Sequence, residues 1–159
     1  MEQLYQQLII DHAKDPHGKG LAEGYAAESF QVNPTCGDEV RLRVHLTSQG
    51  DLERVSWTGQ GCSISQASIS VMSELVTGRP VPEVTGLGED FRALLQSRGA
   101  GLDDAAEDRL GDATAFTGVG RYPARVKCAL LGWMALRDAL VQAGVAVGTA
   151  AGTSEQEEA

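Results

Sequence analysis

Residues 39–47, EVRLRVHLT, show the clearest strand pattern in the chain. Apolar residues fill every second position from Val40 to Leu46, and polar or charged residues fill the positions between them. An alternation of period two is typical of a strand with one buried and one solvated face. We therefore predict a half-buried strand here, with His45 on the solvated face beside Arg41 and Arg43.

Two flanking stretches extend this strand into a sheet. Residues 28–33 (ESFQVN) predict a short strand with Phe30 and Val32 on one face. The turn SQGD leads to a return strand over 52–58 (LERVSWT), with Val55 and Trp57 pointing inward. Three antiparallel strands with one solvated face fit this alternation.

Helical periodicity surrounds the sheet. We predict three helices: one over 2–14, one that begins after the glycines of 59–61 and ends at Gly78 and Pro80, and one over 123–143. In the last helix Pro123 lies in the first turn and Trp133 belongs to the core. We expect short helical pieces around Glu89–Gln96 and Asp103–Leu110, broken by Gly86, Gly88, Gly99 and Gly101. Residues 117–126 are expected to be a loop that leads into the last helix. The fold class is α+β: a small three-stranded antiparallel sheet with helices packed on one face.

Domain organisation and composition limit the function. Residues 1–143 form one predicted domain, and the acidic tail 144–159 is expected to be disordered. A net charge of −9 argues against nucleic-acid binding, which needs clustered Lys and Arg. No apolar run reaches the roughly 18–20 residues of a membrane span, and the first residues lack a basic signal-peptide region. Three cysteines without a secretory signal favour a reducing cytoplasm over a disulfide framework.

The cysteines fall at predicted element junctions. Cys36 lies in the turn NPTCGD, and Cys62 and Cys128 lie near the starts of helices, where the helix dipole favours thiolate. Arg125 and Lys127 flank Cys128 and would favour thiolate further. Small buried cysteines are the structural alternative, and the absence of a C-x₂-C pair makes the spacing alone a weak metal signal.

A metal site needs four donors. Three thiolates and the carboxylate of Asp38 make four, the coordination number that zinc prefers, and the two cations would offset the charge. The oxygen of Asp38 is the hardest donor, so we expect it to exchange most easily. The histidines His12 and His17 are assigned surface or structural roles.

Four motifs together resemble the NifU/IscU-like iron–sulfur cluster assembly family, and most closely its SufU-type branch. They are LYQQLIIDHAKDPHGKG (4–20), NPTCGDEV (33–40), GQGCSISQAS (59–68) and RYPARVKCALLGW (121–133). The resemblance implies an IscU/SufE-like α+β fold and a metal site formed by Cys36, Asp38, Cys62 and Cys128. It also implies a pyridoxal-phosphate cysteine desulfurase of the SufS type as partner, and a downstream iron–sulfur assembly complex.

Two features are similar to the SufU branch. IscU-type proteins carry a histidine immediately before the third cysteine, where this chain has Lys127, and residues of about 90–112 resemble an insertion. The resemblance then implies a zinc-dependent sulfur acceptor that takes persulfide sulfur onto Cys36, with Arg125 and Lys127 near the site or the partner. The alternatives are a scaffold that builds a [2Fe–2S] cluster on the same residues and a structural zinc domain.

Overall fold

A computed structural model describes residues 3–145 of the chain. The elements, in chain order, are α1 (Gln3–Lys14), β1 (Ala27–Asn33), β2 (Asp38–Leu46), β3 (Leu52–Gln60), α2 (Ser63–Val76), α3 (Val81–Gln96), α4 (Asp104–Leu110), a 3₁₀ helix (Gly111–Arg121) and α5 (Pro123–Gln142). The tail that we expect to be disordered spans residues 144–159. Apart from Gly144 and Val145, it lies outside the described residues.

The predicted three-stranded sheet is confirmed. The strands run antiparallel in the order β1-β2-β3, and Leu42 of β2 lies opposite Ser29 of β1 and Trp57 of β3. Val40, Leu42 and Val44 are fully buried on the inner face, which α5 covers. The alternation in β2 thus places its apolar side chains against the helical layer, as its period of two requires.

The prediction that His45 is solvated is wrong. The register shifts between His45 and Leu46, and the segment before β1 crosses the outer face, where the Ala22 N–H donates to Ser56 Oγ at 3.1 Å. His45 is only 3% exposed, with Nε2 2.8 Å from the same Ser56 Oγ. Burial, followed by the positive charge of Arg54, lowers the pKa of His45. The alternation in one strand could not reveal that a distant loop covers its polar face.

Phe30 and Val32 share a face, as predicted, but it is the open one. They are 46% and 49% exposed, and the guanidinium of Arg41 lies 4.9 Å from the Phe30 ring centroid. The inner positions of β1 after Ala27 are polar instead. Ser29 is buried there and donates to Asp138 of α5 at 2.6 Å.

The helical layer departs from prediction in two places. The helix α3 runs unbroken through Gly86 and Gly88, and Gly88 leaves room for the Trp133 ring, which a Cβ would meet at 3.3 Å. Residues 111–121 form a 3₁₀ helix where we expected a loop over 117–126. Trp133 belongs to the core, as predicted, and stacks on Phe91 of α3 at 5.6 Å between ring centroids. None of the helices within residues 3–145 is both long and apolar enough to cross a membrane.

Candidate metal centre

The fold brings Cys36 and Asp38, which are two positions apart, together with Cys128 from a distant part of the chain. Cys36 lies in the turn between β1 and β2, Asp38 is the first residue of β2, and Cys128 lies in the second turn of α5. The two Sγ atoms and an oxygen of Asp38 all lie within 4.8 Å of one another. Gly37, between the first two residues, has φ +73°, a conformation that glycine adopts without strain and that turns the chain sharply into the strand.

The carboxylate of Asp38 is held by the chain that carries Cys62. Asp38 is fully buried, and its Oδ1 accepts hydrogen bonds from the Cys62 N–H at 2.9 Å and from the Ser65 hydroxyl at 3.3 Å. Gly61 has φ +154° and packs so close that a Cβ there would overlap Asp38 Oδ1. These contacts fix the carboxylate against the start of α2.

The other oxygen, Asp38 Oδ2, is buried and has no hydrogen-bond partner among the described residues. A buried carboxylate oxygen without a partner is costly, and the nearby thiols are too weak as donors to satisfy it. A cation bound beside it would remove that cost. The donor set of thiolates and one carboxylate suits zinc, so the residues present fit such an ion.

Cys62 lies near Cys36, Asp38 and Cys128 but is not among the residues whose ligand atoms all lie within 4.8 Å of one another. It is the N-cap residue of α2, is partly buried, and its thiol is one of the groups that raise the pKa of Cys128. The structure therefore places all four predicted ligands in one region. It brings three of them to within 4.8 Å and leaves the fourth adjacent.

The thiols differ in accessibility. Cys36 is exposed, whereas Cys128 is fully buried. Burial, followed by the neighbouring Asp38, Cys36 and Cys62 side chains, raises the pKa of the Cys128 thiol far above its ordinary value. Our expectation that the helix start makes Cys128 a thiolate is therefore wrong for the metal-free protein, because desolvation outweighs the helix dipole.

The surroundings bear on two further expectations. Asp38 was expected to be the easily exchanged donor, but it is buried and tethered, and Cys36 is the donor that solvent reaches. Arg125 and Lys127 are exposed, and neither makes an ion pair or side-chain hydrogen bond with another described residue. Arg125 lies in a surface groove with Ile64 and Tyr122. A contact between these cations and a partner stays a prediction.

Sequence reasoning missed two polar residues around the site. Ser65 binds Asp38, and the Asn33 amide lies 3.8 Å from Cys128 Sγ. Ser65 lies one helical turn after Cys62, a position from which side chains commonly reach the start of a helix, so it could have been considered. Asn33 gave no such signal, since its contact spans 95 positions of the chain.

Comparison with known proteins agrees with the fold. The NifU-like N terminal domain family matches residues 4–129. The zinc-dependent sulfurtransferase SufU of Bacillus subtilis is 39% identical over 137 residues, covering 86% of this chain and 88% of the relative. The iron–sulfur cluster assembly scaffold protein IscU of Streptococcus pyogenes is 36% identical over 140 residues, covering 88% and 84%. The N-terminal part of a NifU-like protein from Brucella abortus superimposes with a TM-score of 0.76 at 26% identity, covering 88% of this chain and 94% of the other.

A three-stranded sheet, a covering helical layer and a cluster of cysteine and aspartate side chains define a small α+β protein with a candidate metal site. The chain belongs to the NifU-like family and is of the SufU/IscU type, which confirms the resemblance seen in the sequence.

Proposed function

We propose that this protein acts in iron–sulfur cluster assembly as a zinc-dependent sulfur acceptor, with Cys36 as the residue that receives sulfur. The observation that carries the proposal is the unequal exposure of the clustered thiols. Cys36 is open to a partner, while Cys128 and Asp38 are buried behind it. The similarity to SufU, a zinc-dependent sulfurtransferase, supports the same assignment.

The proposed reaction begins with a persulfide on the cysteine of a pyridoxal-phosphate cysteine desulfurase. The Cys36 thiolate attacks the outer, sulfane sulfur, a new S–S bond forms at Cys36, and the S–S bond of the partner breaks. The desulfurase cysteine leaves as a thiolate and the bonding electron pair goes with it. Sulfur is transferred without net oxidation, and only an exposed thiol can reach a persulfide held on another protein.

The buried residues have a different part in this proposal. Cys36, Asp38, Cys62 and Cys128 would hold the zinc, which when bound keeps thiols deprotonated and the loops ordered. Asp38 links the site to α2 through the Cys62 N–H, so the donors keep their arrangement when a partner approaches Cys36. Arg125 is exposed beside the groove next to the site, and we assign it to contact with the partner.

A cluster scaffold is the second candidate. IscU relatives match the chain over most of its length, and the same donors could hold a [2Fe–2S] cluster as cargo. Lys127 weighs against this candidate, because it occupies the position before the third cysteine and a protonated lysine is no metal ligand. Its side chain is also on the surface, away from the buried Cys128.

The test measures alanine release by a SufS-type desulfurase at limiting reductant, with the zinc-loaded protein present or absent. We expect strong stimulation by the wild type, none by Cys36→Ser, and full stimulation by Thr35→Ala, a control at the neighbouring exposed position. Mass spectrometry should find one added sulfur on Cys36. Persulfide loading of Cys36→Ser, or no stimulation from a protein that instead transfers an assembled cluster, would overturn the proposal.

A further inference from the structure

A second group of potential ligands lies at the far end of α2 from the thiols. His12 of α1, Glu74 of α2 and Asp112 of the 3₁₀ helix each offer one ligand atom, and these atoms all lie within 4.8 Å of one another. Glu74 lies twelve positions after Cys62, which is about 18 Å along a helix at 1.5 Å per residue. The two groups share no residue, so the second one calls for its own explanation.

The imidazole of His12 is oriented by a residue outside this group. Its Nδ1 lies 2.6 Å from Ser70 Oγ, and that oxygen also accepts the N–H of His17 at 2.7 Å. In the tautomer with the proton on Nδ1, His12 donates to this oxygen, which can accept two hydrogen bonds, and Nε2 carries the lone pair. Metal binding at Nε2 selects that tautomer. Metal-binding histidines are commonly arranged in this way, with the second ring nitrogen donating to a fixed acceptor.

The spacing around Nε2 leaves room for an ion. Nε2 lies 4.0 Å from Glu74 Oε1, too far for a hydrogen bond between them. Zinc with ligands at about 2.1 Å separates neighbouring donors by roughly 3.4 Å in a tetrahedral site. The side chain of Glu74 is 54% exposed and can close the remaining gap, whereas His12 is only 16% exposed and stays in place.

The charges favour a divalent cation. Glu74 and Asp112 place two carboxylates together, and within residues 3–145 the ion-pair partner of Glu74 is His12, while Asp112 has none. Arg79 borders the groove beside these two carboxylates, but its guanidinium is bonded to Glu83 and to the Leu75 carbonyl. Two carboxylates and a neutral imidazole therefore remain to balance a charge of 2+. Imidazole and carboxylate ligands together suit borderline divalent ions such as zinc and cobalt.

From these contacts we propose that His12, Glu74 and Asp112 form a second metal site, which binds a divalent transition-metal ion through one nitrogen and two carboxylate oxygens. Water completes the coordination on the exposed side. The site is independent of sulfur acceptance at Cys36, because none of its residues takes part in that reaction. It lies on three packed helices and therefore needs no folding of a loop to form.

The experiment adds Co²⁺ to the full chain already loaded with one zinc per molecule, and follows binding by calorimetry and by absorption. Cobalt on thiolates gives intense charge-transfer bands in the near ultraviolet, whereas cobalt on nitrogen and oxygen gives only weak visible bands. We expect one further ion per chain with weak bands only. Binding should weaken at least about tenfold in His12→Asn and in Glu74→Gln, since each removes a ligand.

Matched controls separate this site from non-specific binding. His17→Asn removes an exposed histidine of the same segment, and Glu53→Gln removes an exposed carboxylate of β3, so both should bind cobalt like the wild type. Glu74→Gln decides the matter if His12→Asn fails to fold, because Glu74 is half exposed. The proposal is overturned if no further ion binds, if thiolate bands appear, or if Glu74→Gln binds as well as the wild type; in the first case the three residues form only an ion pair with a protonated His12.

Discussion

Replacement of Asp38 by asparagine tests whether this carboxylate is a metal ligand. Asparagine has nearly the same shape, so no cavity forms, and its oxygen can still accept from Cys62 and Ser65. The change removes the buried charge and replaces the unpartnered Oδ2 by a neutral amide NH₂ group. A buried polar group without a partner costs about 1–3 kcal/mol and a charged one costs more, so the gain is the difference between the two. In the metal-free protein we therefore expect Asp38→Asn to raise the free energy of unfolding by about 1 kcal/mol.

The same substitution should act in the opposite direction when zinc is present. A ligand that binds only the folded state stabilises it by RT ln(1 + [L]/Kd). Loss of even an outer contact of a metal site commonly weakens binding 10–100-fold, which is about 1.4–2.8 kcal/mol. We expect the increase in stability that zinc causes to be smaller in Asp38→Asn by at least this amount.

The assay is guanidinium unfolding followed by circular dichroism, in reductant, once with a chelator and once with free zinc fixed by a metal buffer. Glu39→Gln, which neutralises the adjacent and less buried carboxylate, is the control and should change neither value. If Asp38→Asn destabilises the metal-free protein and leaves the zinc increment unchanged, Asp38 is a tether for the Cys62 segment and no ligand. That result would refute the reasoning.

Three further predictions follow from the fold. Gly61→Ala should push the Asp38 carboxylate aside and weaken zinc binding more than tenfold, measured by competition with a chromophoric chelator. Gly50→Ala, also at a positive φ but in open space, should lose only stability. Because the pKa of His45 is lowered in the folded protein, the unfolded chain binds more protons than the folded one as the pH falls below about 6.5. The free energy of unfolding should therefore decline with falling pH in this range. His45→Gln should reduce this pH dependence, measured by urea unfolding at several pH values. Gly86→Ala, in open space within α3, should raise the thermal midpoint through about 1 kcal/mol of helix propensity.

The elements that the sequence predicted well are those whose pattern repeats. The alternation of β2 and the helical stripe of α2 each repeat over several turns or residue pairs, and both elements formed close to the predicted bounds. Pro123 opens α5, as its fixed φ favours. In these elements the local periodicity agrees with the burial in the fold, so the sequence alone is sufficient to predict the type and position of each element.

The predictions failed where contacts with a distant segment of the chain determine the local structure. Gly86 and Gly88 suggested breaks, yet helix propensity costs only about 1 kcal/mol per glycine, and packing of α3 on Trp133 exceeds it. His45 was expected in solvent, yet residues before β1 cover it. Neither covering contact leaves a trace in the local pattern, because each joins residues far apart in the chain.

In the candidate site, the sequence predicted which residues come together but not the role of each. Residue type and family motifs named Cys36, Asp38, Cys62 and Cys128, and the fold brings these residues into one region. Their expected roles relied on intrinsic chemistry: the harder oxygen donor should exchange, and the helix start should ionise Cys128. Burial reverses both expectations, since Asp38 is enclosed and tethered while burial raises the pKa of Cys128. The donor that a partner can reach is therefore set by exposure, and that donor is Cys36.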